Sequence, residues 1–140
     1  MDIAAIRNGI KARLVTIDGL AAHTQVPASV NPPAAIITTQ TPFIEYHLAN
    51  AKGLAQLNFN IQLLVGRQDE RRAQELLDQY LSAGTGVTKS VIDAFEADTT
   101  LGGSCSSSII MTAGEYFATD LGDSSYGSVI LPLTVYAPRI

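Results

Sequence analysis

The sequence predicts a single α+β domain, and three observations carry that expectation. From Leu54 to Val65, the apolar residues Leu57, Phe59, Ile61, Leu63 and Val65 alternate with Gln56, Asn58, Asn60 and Gln62. Alternation with period two over this length marks a strand with one buried face. After Gly66-Arg67 the period changes: Ala73, Leu76, Leu77, Tyr80 and Leu81 form the i, i+3, i+4, i+7, i+8 stripe of an amphipathic helix. The chain also opens with Ile3, Ile6, Ile10 and Leu14 behind an Asp2 that can cap free N–H groups. A length of 140 residues fits one domain, residues 1–140, with one core. The expected architecture is a mostly antiparallel or mixed β-sheet, with an N-terminal helix and two further helices packed against it.

The N-terminal helix is expected to run to about Val15, with Lys11 and Arg13 near its end suiting the helix dipole. Asp18-Gly19 makes a turn and Leu20 to Val26 a short strand. Pro27 to Pro33 reads as a stiff extended loop, because proline fixes φ and restricts the residue before it. Ala34 to Thr39 and Phe43 to Leu48 read as two strands, rich in β-branched and aromatic types and parted by Thr41-Pro42. Ala51-Lys52-Gly53 turns the chain into the long strand. The helix of residues 69–81 carries Asp69 and Glu70 in its first turn and an Arg71–Glu75 pair, and Gly84 and Gly86 end it. Ser90 and Asp93 have capping-box spacing for a short helix through Phe95. Asp98 to Gly103 is a turn, and Cys105 to Thr112 a strand with Ile109 and Met111 on one face. Gly114 to Gly127 reads as a long polar loop with room for a strand edge, and Val129 to Ala137 as the last strand. Pro132 cannot donate to a ladder, so it marks an edge or a bulge.

Only 16% of the residues are charged and 46% are hydrophobic, against about 25% charged in average soluble domains. Such a domain is expected to hide some surface in an oligomer. Net charge is −4, which argues against a nucleic-acid binder, whose affinity rests on neutralising phosphates. The charge is uneven: residues 1–72 hold seven bases and five acids, whereas residues 73–140 hold two bases and eight acids. That asymmetry could serve head-to-tail contacts, although folding can equally intermix the two halves. The N-terminus lacks the basic region and apolar run of a signal peptide, and no apolar stretch reaches the length of a membrane span. Cytoplasmic synthesis is expected.

No combination of residues suggests catalysis. His23 and His47 have no metal-binding partner nearby, and Cys105 lacks an adjacent base to lower its pKa. Gly122-Asp-Ser-Ser-Tyr-Gly127 fails the nucleophile-elbow spacing by one residue and precedes a strand. Asp120 and Asp123 lack the further carboxylates and turn glycine of a calcium loop. Gly84-Thr-Gly86 lacks a phosphate-binding frame. The chain therefore reads as a non-enzyme without cofactor or metal. Gln56, Asn58, Asn60 and Gln62 form either a solvated sheet face or a face lining a subunit contact or channel. Asp120 and Asp123 are candidates for the same lumen or interface.

With these segments in order, the chain resembles the tail terminator proteins of long-tailed bacteriophages, also called tail-completion or head–tail joining proteins. The pattern begins with the helix bearing Ile3, Ile6 and Ile10. Asn31-Pro32-Pro33-Ala34-Ala35 then leads into a strand, and a long strand ends at Leu63-Leu64-Val65-Gly66-Arg67. The helix from Ala73 to Leu81, the segment Ser90 to Ala94, and Asp98-Thr-Thr-Leu-Gly-Gly103 before a strand complete it. The resemblance spans nearly the whole chain, and its elements are organisational rather than catalytic. It implies a homohexameric ring that caps the tail tube, ends tube polymerisation and meets the head connector or stopper protein. It also implies that DNA passes through without specific binding. The implied location is the host cytoplasm during assembly and then the virion's head–tail junction, with no membrane contact. Competing readings are another phage ring protein (a head-completion or tail-tube protein) and a small-ligand-binding or enzymatic α+β domain.

Overall fold

A computed structural model describes residues 1–27, 31–46, 53–66, 70–84, 89–121 and 124–138. Among these it shows three helices and six strands in one curled, mixed sheet, the α+β architecture expected. The order is α1 (Ile3–Leu14), β1 (Ala21–His23), β2 (Ala34–Glu45), β3 (Leu54–Gly66), α2 (Glu70–Leu81), α3 (Val91–Glu96), β4 (Ser107–Ile110), β5 (Phe117–Leu121) and β6 (Ser124–Pro138).

Across the sheet the strands run β1-β2-β3-β6-β4, and β5 pairs with the same β6 edge as β4. Among the described residues only the β1–β2 pair is parallel. β3 and β6 pair without interruption from Leu54↔Pro138 to Gly66↔Tyr126, which makes them the spine of the sheet.

The alternation of β3 decides which face is buried. Leu57, Phe59, Ile61, Leu63 and Val65 are all essentially inaccessible and share one core with Leu131, Leu133 and Val135 of β6. All three helices add to that core: Ile6, Ile10 and Leu14 from α1, Ala73, Leu77 and Tyr80 from α2, and Val91 and Phe95 from α3. The helices thus cover one face of the sheet. Among the described residues, the other face carries a small satellite cluster of Ala34, Ile36, Leu64 and Tyr126.

Local signals place the helix ends. The Asp2 carboxylate accepts from Ala5 N at 3.3 Å, and Ser90 Oγ accepts from Asp93 N at 3.0 Å. The second half of the capping box is missing, because the Asp93 carboxylate accepts from Gly84 N instead (3.0 Å). That bond anchors the chain leaving α2, where Gly84 takes φ +113°. Arg71 and Glu75 of α2 pair at 3.7 Å on the exposed surface. Asp69 and Gly86 lie outside the described residues.

Four strand assignments differ from expectation, and for β2 and β4 the tertiary structure supplies the reason. The two strands expected on either side of Thr41-Pro42 are one strand, β2, with a bulge. Its register on β3 jumps from Thr39↔Phe59 to Ile44↔Leu57, so residues 40–43 bulge out opposite Asn58. A proline in such a bulge costs no ladder bond. Leu48, the expected end of the second strand, lies outside the described residues. β1 is shorter than the expected Leu20–Val26. β4 is also shorter than the expected Cys105–Thr112. At its start Gly103 N and Cys105 N both donate to Thr100 O, at 3.1 and 3.2 Å, holding Cys105 in the preceding turn. At its end the next partner on β6 would be Pro132. The Ile130 carbonyl accepts from Gly114 N at 2.8 Å, away from β3, so the antiparallel alternation points Pro132 toward the same outer edge. Proline has no N–H to offer there, and β4 stops at Ile110↔Leu133. Finally, the region read as a polar loop from Gly114 holds β5, and β6 begins at Ser124 rather than Val129.

The turn 98–103 docks on α1. The Asp98 carboxylate accepts from Thr100 N, Thr100 Oγ1 and Gly102 N at 3.1, 2.7 and 3.0 Å. These bonds, the Thr100 hydroxyl first, hold its pKa below the ordinary carboxylate value. Leu101 adopts φ +53°, a conformation unfavourable for a side chain, and buries that side chain in the core. A Cβ on Gly9 would meet Leu101 O at 2.6 Å, so this point of α1 requires glycine.

Candidate functional site

Because the helices take one sheet face, the polar residues of β3 fall on the other. Their register neighbours on β6 are Tyr136 for Gln56, Thr134 for Asn58, Pro132 for Asn60 and Ile130 for Gln62. Across the paired length of β3 and β6 this face bears no Asp, Glu, Lys or Arg. Glu45, opposite Gln56 at the end of β2, is a carboxylate at its margin.

The four amides do not behave alike. Asn58 is 9% exposed, donates from Nδ2 to Pro42 O at 3.0 Å and accepts from Gln56 Nε2 at 2.9 Å. Gln40 donates from Nε2 to Phe59 O at 2.8 Å. Asn58 therefore satisfies the carbonyl of Pro42 in the β2 bulge, and Gln40, within the bulge, ties it back to β3. Gln62 is committed across strands, donating to Ser128 Oγ at 3.1 Å and more weakly to Thr119 Oγ1 at 3.4 Å. Asn60 is half-buried and has no hydrogen-bond partner among the described residues. Of the predicted set, Asn60 leaves its amide wholly available, and Asn58 is structural cement.

Asp120 is exposed on β5, opposite Ser125, and belongs to the helix-bearing side of the sheet. The structure does not bring it together with the amides. Asp123 and His47 lie outside the described residues. His23 is half-buried on β1. Cys105 is 8% exposed, and burial, with a smaller contribution from the Asp98 carboxylate, pushes its thiol up to about 11. A thiol raised that far holds its proton at neutral pH and is a poor nucleophile.

Three features escaped the sequence reading. Arg7 of α1 is half-buried, lies 5.7 Å from the ring centroid of Phe59 and 5.9 Å from that of Phe43, and donates to Thr24 O at 3.2 Å. Tyr116 donates its hydroxyl to the Asp78 carboxylate of α2. Burial and that carboxylate push the phenol up to about 12. Beside this contact is a groove of about 190 Å³ lined by Ala73, Gln74, Leu77, Tyr116, Phe117, Ala118, Gly127 and Ser128. The aromatic pair Tyr116-Phe117 inside a polar stretch was the only sequence signal for it.

Among the described residues no group of three His, Cys, Asp or Glu side chains is placed to hold a metal ion. No described helix is long and apolar enough to cross a membrane. The chain matches no protein-family model, and comparison with curated proteins gives no match.

Proposed function

We propose that this protein is a structural component of phage tail assembly. In this reading it forms a homohexameric ring that caps the tail tube, ends polymerisation of the tube protein and joins the tail to the head connector. The observation that carries the reading is the uncharged second face of the sheet. Polar but neutral side chains, half-buried around Asn60, Pro132 and Thr134, are cheap to desolvate against a neighbour compared with charges. The order and spacing of the elements, which resemble tail terminators, supply the specific form of the assembly. In this reading the protein works first in the host cytoplasm and then at the virion's head–tail junction. DNA passes through a neutral or acidic lumen, which a net charge of −4 suits.

The test is assembly on purified tail tubes, followed by electron microscopy and light scattering. A single closed ring at one tube end, with growth halted, is the expected result. Open filaments would indicate a tube protein instead, and a monomer that ignores tubes at every concentration would overturn the proposal. Gel-shift titration at low salt, where phosphate-driven affinity is strongest, checks the conduit. Micromolar binding that weakens steeply with salt would mean that the protein grips DNA.

A further inference from the structure

The β5 edge has a property that the ring reading does not use. β6 turns the main-chain groups of its even-numbered residues away from β3, as the bonds from Gly114 N to Ile130 O and from Ser106 N to Tyr136 O (both 2.8 Å) show. The β3–β6 register is unbroken, so Ser128 and Tyr126 keep that direction and pair with Phe117 and Thr119 of β5. The alternation then points the N–H and C=O groups of Ala118 and Asp120 outward. Both residues are exposed, and neither has a backbone partner on that side among the described residues. This is an open strand edge.

The groove between α2 and β5 runs beside it. Its volume of about 190 Å³ is below the ~300–1,000 Å³ of small-molecule sites, and suits one aliphatic side chain. Ala73 and Leu77 supply the α2 wall, and the Tyr116–Asp78 bond ties the segment entering β5 to α2. Successive side chains of an added strand alternate between faces, so every second one would turn toward this groove. Asp78, Glu115 and Asp120 stand around the edge, all exposed. Arg71, on the same helix, is already paired with Glu75. An antiparallel β5–β5 pairing between two copies would bring Asp120 near its own equivalent, and like charges across strands repel.

We propose that the β5 edge and the α2 groove form a strand-addition site for an extended segment of a partner protein, with basic residues two positions before and two positions after an aliphatic one, so that all three share the face of the acidic rim. Main-chain bonds to Ala118 and Asp120 would hold the segment, the groove would take its aliphatic side chain, and the acidic rim would select its charge. The site is independent of the ring reading and would stand if that reading failed.

The probe is the blocked pentapeptide Lys-Thr-Val-Thr-Lys, titrated into the full chain and followed by amide NMR shifts. Shifts centred on Ala118, Asp120 and Leu77 are expected, with at least tenfold weaker binding of Glu-Thr-Val-Thr-Glu. Ala118→Pro should abolish binding while keeping the fold, since an edge strand tolerates proline where the N–H faces solvent. Should that variant unfold, Asp120→Lys provides the second test and should shift preference toward the acidic peptide. No shifts, shifts elsewhere, or equal binding of the two peptides would overturn the proposal. So would a peptide-free oligomer that Ala118→Pro converts to monomer, because a second copy would then occupy the edge.

Discussion

Replacing Phe59 with Ala tests the face assignment of β3, on which both the fold and the neutral surface depend. Phe59 is fully buried, its ring sits edge-on to Phe43 (centroids 5.1 Å apart, planes at 75°), and Arg7 lies over both rings. These contacts come from the β2 bulge and α1, and Leu77 and Tyr80 of α2 join the same core. Loss of a buried Phe to Ala costs about 3–5 kcal/mol. The edge-to-face pair adds about 0.5–1.5 kcal/mol beyond area burial, which places the expected loss in the upper half of that range. Against a total of about 5–15 kcal/mol for a domain, the variant should fold only marginally. The assay is urea denaturation of wild type, Phe59→Ala and Asn60→Ala. For Phe59→Ala the midpoint should fall with an unchanged slope, and Tm should drop by roughly 12–20 °C for a chain of this size. Asn60→Ala should stay within about 0.5 kcal/mol of wild type, as surface changes away from special contacts do. A Phe59→Ala loss below about 1 kcal/mol, or an Asn60→Ala loss exceeding it, would refute the face assignment.

Gly9→Ala should destabilise by about 0–2 kcal/mol net, because overpacking against Leu101 O costs about 1–3 kcal/mol and the gain in helix propensity is about 1 kcal/mol; a stabilised variant in urea denaturation would show that the turn 98–103 is not docked on α1. Asn58→Ala should cost about 1–3 kcal/mol by leaving the Pro42 carbonyl unsatisfied, measured in the same way. Burial raises Cys105 from 9.0 to about 11, so its contribution to stability should be complete below pH 9 and be lost as pH rises through about 11. Alkylation of Cys105 in the native protein at pH 8 should accordingly be much slower than in urea. Asp98 is shifted the other way: its contribution should be present above pH 4 and be lost as acid protonates it, a loss that Asp98→Asn should remove from the pH–stability profile.

What the sequence alone determined is what contiguous residues encode. Period two placed the buried face of β3, the stripes of α1 and α2 named their core residues, and Asp2 and Ser90 announced helix starts. Each of these signals acts within about one turn or a few residues of strand. Long-range pairing settled the rest. Thr41-Pro42 looked like a break because a proline ends a ladder locally, yet Asn58, on the neighbouring strand, holds the bulge through the Pro42 carbonyl. β4 ends at Ile110 because of Pro132, 22 residues later, and β5 exists because β6 offers it an edge. The neutral surface and the open edge beside α2 are likewise products of tertiary structure. Sequence could say that Asn58 and Asn60 share a face, but only the register against β2 and β6 decided that one is buried cement and the other remains available.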